Sequence, residues 1–545
     1  MNQGDLVYER PAVADDDFVK RCVDAAAVLE SIATDFAKLA ALDEPTRRRL
    51  VTAAGQLSRP DRYSRKNLAK ALSRDRAAEK KRADAEKLDA TGIRQARKET
   101  VFRTPLPRPA MSLTAAVRDQ LGDGEDASGS SGADAGGVDV WASAEAERGS
   151  PAEADSSGPR VHRARLCYVC KTEFFELHHF YDQMCGECAE FNWAKRNQTA
   201  DLRGRTCLVT GGRVKIGYQA AILLLRAGAE VIVATRFPND AARRFAAEVD
   251  ADDWMSRLHV YGVDLRHTPS VEAMCEHIVT SFSRLDGIFN NACQTVRRPS
   301  GWYDHVLAIE AEPIAARPPR EQRVLAHYAD LIDGSRRLTG HGEPAASDPR
   351  YAARQIGEVG LWKSAVLSQV PLVAEDLERG EHLFPAGRLD ADLQQVDLRA
   401  TNSWRLTLAE VPTAELLEVQ LVNAVAPFVI NARLKPLMAK VASRDTHIVN
   451  VSAMEGQFYR RWKTDKHPHT NMAKAALNMM TRTSAADYVR DGIHMNAVDT
   501  GWVTDEDPLH HAERKTKIHG FHPPLDIVDG AARIVDPLFD GVNTG

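Results

Sequence analysis

The sequence has no surplus of positive charge: 71 Lys and Arg stand against 76 Asp and Glu, for a formal net charge of -5. That balance excludes nucleic-acid binding over the whole surface and leaves only local patches for such a role. Aromatic residues are scarce at 6%, and no array of alternating basic and aromatic side chains suggests a base-stacking platform. The opening stretch MNQGDLVYERPAVADDD lacks a basic region followed by an apolar run. No uninterrupted apolar stretch reads as long enough to span a bilayer, so the sequence predicts a cytoplasmic chain with no membrane association. Cysteine is also sparse, and four of the eight fall into two C-x2-C pairs. Such pairing points to a metal site in a reducing compartment, not to a disulfide framework.

What is present is chain enough for three or four domains, since 545 residues at roughly 100 to 200 per domain exceed one hydrophobic core. Residues 1–104 read as a helical accessory module. DDFVKRCVDAAAVLESIATDFAKLAAL repeats apolar residues at helical spacing, and the charged NLAKALSRDRAAEKKRADAEKLDATG follows. Acidic residues mixed into that basic run make it a solvated face; the module is a candidate surface for a protein partner. Residues 105–160, centred on GEDASGSSGADAGG, carry too little apolar surface to offset ordering entropy and read as a disordered linker.

Residues 161–198 contain Cys167, Cys170, Cys185 and Cys188 in the pattern C-x2-C-x14-C-x2-C. The spacing resembles a zinc ribbon, in which two short knuckles present four thiolates tetrahedrally to zinc. A site closed by four thiolates is structural and leaves His178 and His179 as packing residues.

From residue 199 the chain alternates strands and helices. RTCLVTGG is a buried strand ending in glycines, IGYQAAILLLRAGA an apolar helix and EVIVATR a second strand, a βαβ unit that opens a doubly wound, Rossmann-type parallel sheet. Thr210-Gly211-Gly212-Arg213-Val214-Lys215-Ile216-Gly217, then Asp264-Leu265, then Asn290-Asn291-Ala292, resemble the ordered cofactor motifs of the short-chain dehydrogenase/reductase family. The resemblance covers roughly 203–545 and is interrupted by an insertion near 296–400, read as a lid or partner-binding excursion. It implies that Gly211 permits the turn after the first strand, that Gly217 lets helix and strand approach, and that the helix start receives a pyrophosphate. Lys215 stands where the family has its middle glycine. Thr235 and Arg236 occupy the end of the second strand where NAD-preferring relatives carry an acid; with Arg213 they favour NADP over NAD.

In the same resemblance Lys474 holds the nicotinamide ribose, Asn423 belongs to the proton relay, and Gly501 and Val503 embrace the nicotinamide. The family tyrosine falls on Thr470, a shorter and far weaker acid than a phenol of pKa about 10. The family serine falls on Ala453, with Ser452 one residue earlier. The sequence therefore predicts an oxidoreductase acting on a small carbonyl or alcohol through a non-standard proton donor, with Tyr459, His467 and His469 as candidates. Two other readings stand beside it: an NADP-binding scaffold or sensor, and a nucleic-acid-binding zinc-ribbon protein regulated by a dinucleotide. Members of that family continue past the point reached at DGVNTG into a last strand that often supports tetramer packing, so the resemblance implies either an early end or a different homo-oligomer.

Overall fold

The computed structural model describes residues 16–107, 158–340, 364–378, 380–459 and 463–545. Two compact units divide the chain, Met1–Ala83 and Asp84–Gly545. The first contains the helices Asp16–Thr34 and Glu44–Ser58 and most of Arg62–Asp89, whose basic face is exposed as expected. The first unit ends before residue 104, because 84–104 bond into the second. The Asp84 carboxylate accepts from the backbone N–H groups of His162 and Arg163 at 2.7 and 3.1 Å. The N–H groups of Gly92 and Ile93 donate to the carbonyls of His179 and Phe180, and Ile93 is fully buried. Most of the expected linker, 108–157, lies outside the described residues.

The second unit is built on a six-stranded parallel sheet. Its strands are β3 (Thr206–Thr210), β4 (Glu230–Thr235), β5 (Leu258–Gly262), β6 (Gly287–Asn290), β7 (Thr446–Ser452) and β8 (Ile493–Asp499). They follow the spatial order β5-β4-β3-β6-β7-β8, the doubly wound arrangement in which the order reverses between the first and fourth strands of the sheet. β3 and β7 are buried along their whole length, so neither shows the alternation of buried and exposed residues that marks a half-exposed strand. The helix Lys215–Arg226 packs against Ile527–Thr544, and Thr268–Ser281 packs against Ala426–Met438.

Among the described residues one helix, Thr413–Met438, reaches a mean hydropathy of 1.4 and is, by length and composition alone, long and apolar enough to cross a membrane. Its second half is built into the core instead: Ala426, Pro427, Ile430, Leu434, Leu437 and Met438 are buried. The run escapes notice in the sequence because polar residues punctuate it.

The described parts of the insertion do two things. The helix Ala326–Gly340 sets Tyr328 and Leu331 into the core that holds Val260 and Tyr261 of β5, covering the edge strand of the sheet. Residues 390–399 come back over the carboxyl ends of the strands. Arg297 ties the insertion down, donating to Glu418 at 2.8 Å and, through both terminal nitrogens, to Asp376.

The cysteine segment is not a free-standing ribbon. A two-stranded antiparallel hairpin, β1 (Arg160–Leu166) and β2 (Glu173–Glu176), carries the first pair near its turn, while Cys185 caps the helix Gly186–Arg196 and Cys188 lies in its first turn. Tyr181, Met184 and Trp193 share one core with Val503, Leu525, Ile527 and Val528 of the Rossmann domain. At that junction the buried Arg196 donates to Asp526 at 2.6 and 2.8 Å and to Asp529 at 2.8 Å, and the Tyr181 hydroxyl donates to Asp529.

Candidate active site and metal centre

A cavity of about 1330 Å³ opens at the carboxyl ends of the strands, where the strand order reverses. It is larger than the roughly 300–1,000 Å³ usual for small-molecule sites, and so has room for a cofactor together with a substrate. All of the residues that the sequence marks for a dinucleotide line it: Gly211, Arg213, Lys215, Ile216, Gly217, Arg236, Asp264, Leu265, Asn291, Ala292, Lys474, Gly501 and Val503.

At the glycine turn the chain passes from β3 into the helix Lys215–Arg226, whose first-turn N–H groups face the cavity end of the sheet. A side chain at Gly217 would place its Cβ 2.3 Å from Asn291 Nδ2 and 2.5 Å from the Gly211 carbonyl, so only glycine fits. The same Asn291 amide donates to the carbonyls of Thr210 and Gly211, tying the turn to the end of β6. Lys215, where the family has glycine, takes a left-handed conformation with φ 55. Glu506 raises the pKa of its ammonium, and Asp392 and Asp390 from the insertion add to this against the effect of burial. Burial pushes the Glu506 carboxyl up, but Lys215, the Thr504 hydroxyl and Arg298 together outweigh it and leave it below its ordinary value.

The two arginines expected to select a 2'-phosphate differ. Arg213 is buried and committed, donating to Asp240 at 2.7 Å and to Gln394 at 2.5 Å. Arg236 is half-buried at the cavity wall, donating to the Tyr303 hydroxyl at 2.9 Å with its guanidinium 5.0 Å from the centre of the Tyr303 ring; among the described residues no carboxylate pairs with it. Asp264 is buried, and its carboxylate is taken by the neighbouring Arg266.

At the other end of the cavity, Lys474 Nζ donates to the Val451 carbonyl at 2.6 Å. Asn423 sits in a π-helical turn, Leu421–Val425, the kind of bulge often found at functional sites. Its side chain clamps the backbone of Gln294 from both sides, accepting from the N–H at 2.7 Å and donating to the carbonyl at 3.3 Å. Ser452 lines the cavity and Thr470 is buried outside its wall; among the described residues neither hydroxyl has a hydrogen-bond partner. Tyr459 is 98% exposed and is not part of the cavity wall, so the structure does not bring it to the other catalytic candidates. His469 points elsewhere, its Nε2 lying 3.3 Å from the buried Glu415 carboxylate.

His467 does reach the site. It precedes Pro468 at the start of the helix Pro468–Tyr488 in a left-handed conformation, and its ring stacks on Trp404 with centroids 3.8 Å apart and planes 8° from parallel. It is buried, lines the cavity, and has an unpartnered Nδ1. Burial lowers its pKa below the usual imidazole range, with the nearby Glu455 opposing the shift. Ser452, His467 and Asn471 line the cavity together with Lys474, and the Ser452 hydroxyl has no hydrogen-bond partner among the described residues, so the polar wall has capacity left for a ligand.

The four cysteine sulfurs lie within 4.8 Å of one another, with Cys170 and Cys185 Sγ 3.6 Å apart. Tetrahedral zinc with bonds of about 2.3 Å requires sulfurs about 3.8 Å apart, so the set fits that ion. The neighbouring group His178, His179 and Glu190 is equally compact but unsuited. His178 Nδ1 accepts from the N–H groups of Phe180 and Tyr181, which leaves the hydrogen on Nε2, 3.2 Å from Glu190.

Sequence reasoning passed over several wall residues: Tyr168, Lys171, Tyr303, Trp404 and Trp502. Tyr168 and Lys171 lie in or next to the first cysteine pair and Trp502 lies between Gly501 and Val503, while Tyr303 and Trp404 belong to no motif and are brought in by tertiary packing.

Fold and site together define a doubly wound α/β protein of the Rossmann class. Two family profiles match the chain, one described as short chain dehydrogenase over residues 205–306 and one described as enoyl-(acyl carrier protein) reductase over 392–519. An uncharacterized protein of Acanthamoeba polyphaga mimivirus is 30% identical over 388 residues, 69% of this chain and 71% of the viral protein. The short chain dehydrogenase/reductase dpfgG of Gibberella zeae is 30% identical over 120 residues, 21% of this chain and 43% of the fungal protein. Among solved structures, a short chain dehydrogenase from Burkholderia cenocepacia in complex with NADP is 15% identical with a TM-score of 0.37, covering 63% of this chain and 94% of that one. The chain belongs to the short-chain dehydrogenase/reductase family.

Proposed function

We propose that the protein is an NADP-dependent oxidoreductase that interconverts a small alcohol and its carbonyl, with His467 as the proton-transfer group in place of the family tyrosine. The observation that carries this reading is the convergence of the dinucleotide motifs and a polar wall with capacity left for a ligand on one cavity. A bound nicotinamide supplies the hydride acceptor or donor. Arg236 pairs with the 2'-phosphate and the helix starting at Lys215 receives the pyrophosphate. Lys474 leaves the Val451 carbonyl to hold the ribose hydroxyls, and Ser452 donates to the substrate oxygen. His467 would take the hydroxyl proton from the alcohol and pass it to solvent, while a bound nicotinamide would supply the acceptor for the hydride leaving the carbinol carbon; in reduction the imidazolium would return a proton to the carbonyl oxygen. At neutral pH the buried imidazole is neutral, the form that accepts a proton. The four cysteines hold a structural zinc, and a cytoplasmic, reducing setting keeps them available for it.

Trp404 and Trp502 line the cavity, so bound NADPH should accept excitation energy from tryptophan and quench it saturably. Absence of any saturable signal at millimolar NADPH would sink the reading. One observation favours a second, non-catalytic reading as a dinucleotide sensor: Thr470 stands in the tyrosine position while Tyr459 is in solvent. A chain that binds NADPH but whose His467→Gln variant is indistinguishable from wild type in every pH profile supports the sensor.

A further inference from the structure

The first cysteine pair does more than flank a hairpin. The loop between its members runs over the rim of the dinucleotide cavity, and Tyr168 and Lys171 are part of the cavity wall. The loop is tightly folded: the Lys171 N–H donates to the Cys167 carbonyl at 3.2 Å, Lys171 takes φ 64, and the Cys167 N–H donates to the Thr172 carbonyl at 2.8 Å. From this loop the Tyr168 hydroxyl accepts the backbone N–H of Trp502 at 3.0 Å. Trp502 lies between Gly501 and Val503, the two residues assigned to the nicotinamide end of the cofactor.

The same stretch is held from two other directions. Arg533 donates to the Thr500 carbonyl at 3.3 Å and to Asn192 of the cysteine-bearing helix at 3.0 Å. Arg97 donates to the carbonyls of Leu525 and Val503 at 2.7 and 3.4 Å. The backbone of residues 500–503, just after β8, is thus held by Tyr168 from the cysteine loop, by Arg533 braced on the cysteine-bearing helix, and by Arg97. A metal closing the four sulfurs fixes both ends of the Tyr168 loop, because Cys167 and Cys170 are its termini.

We propose that the metal centre and the dinucleotide cleft form one device: the metal fixes the Cys167–Lys171 loop, Tyr168 positions the Gly501–Val503 backbone, and metal occupancy thereby sets dinucleotide affinity. This rests on the NADP-binding and zinc-binding readings above. Tyr168 acts as a positioning residue through the Trp502 amide. The arrangement also gives a reason for fusing a cysteine hairpin to a Rossmann domain through a buried junction instead of a linker.

The test uses the full chain and two arms, both read as the dissociation constant for NADPH by tryptophan-to-NADPH energy transfer, with zinc content measured alongside. In the first, Tyr168→Phe keeps the ring and removes the acceptor. It should retain full zinc content and an unchanged melting temperature while losing about threefold to tenfold in affinity, the scale of one hydrogen bond. In the second, wild type stripped of metal by a chelator should lose at least as much affinity and regain it when Zn2+ alone is returned. Unchanged affinity in either arm overturns the coupling, as does a chain that holds no zinc under any loading. Failure of zinc-loaded wild type to bind NADPH at all is a separate result, which overturns the NADP reading itself.

Discussion

At residue scale the site turns on a substitution and its replacement. Thr470 stands where a phenol is expected; it is buried, and its hydroxyl has no hydrogen-bond partner among the described residues. An aliphatic hydroxyl there cannot take over general acid chemistry near neutral pH. His467, three residues earlier at the turn into the same helix, can. Because burial depresses its pKa, the folded protein holds the ring neutral where a free imidazole would still be partly charged. Oxidation of alcohol should therefore rise, and reduction of carbonyl fall, as pH climbs through a midpoint below the ordinary value of about 6.5. His467→Gln should lower kcat by about 10²-fold or more, the usual scale of general acid–base assistance, and abolish that limb of the profile while leaving NADPH affinity within about twofold. An unaltered pH profile in the variant would contradict the assignment. The motif residues, Gly217 and Lys474 among them, were legible because their chemistry is tied to fixed local spacing. His467 was visible only as one histidine among several; its stacking on Trp404 and the exposure of Tyr459 distinguish it, and both are tertiary facts.

At the scale of elements, two buried charge arrangements hold the insertion and the cysteine segment in place. Arg196 projects from the end of the helix Gly186–Arg196 into the start of Ile527–Thr544, where Asp526 and Asp529 have no route to water. Arg196→Met should destabilise the second unit by about 3–5 kcal/mol, since it leaves buried carboxylates without their cation, and this is measurable as a lower midpoint in urea. The second arrangement lies in the insertion. Glu310 accepts from the N–H groups of Asp240 and Asn239 at 2.8 and 3.3 Å, yet burial pushes its carboxyl up to about 7 from 4.5. Between those values the folded chain keeps a proton that the unfolded chain has lost, so this group's contribution to stability falls as pH rises from 4.5 to 7. Glu310→Gln should flatten the melting temperature across that window; a slope equal to that of wild type would show that the carboxyl titrates normally. Helices and strands of the Rossmann domain were readable from apolar runs and periodicity. The docking of the insertion was not, because Arg297, Asp376 and Glu418 meet only after more than a hundred residues of chain are folded back.

For the whole molecule, the sequence suggested a string of modules, and the structure joins two of them. The expected ribbon at 161–198 becomes a flank of the Rossmann domain, and residues from 84 onward belong to the same compact unit. Composition could not reveal this, since the junction is made by single buried residues such as Tyr181 and Val503 that are unremarkable in their own segments. The central claim remains that the cavity at the carboxyl ends of the strands takes NADP, with Arg236 as the side chain proposed to distinguish it from NAD. The most direct measurement is a calorimetric titration of wild type and Arg236→Ala with NADPH and with NADH. The account predicts that wild type binds NADPH at least about tenfold more tightly than NADH, a difference of about 1.4 kcal/mol, and that Arg236→Ala loses the preference while still binding NADH. Equal affinity of wild type for the two cofactors, or no heat of binding with either, would contradict it.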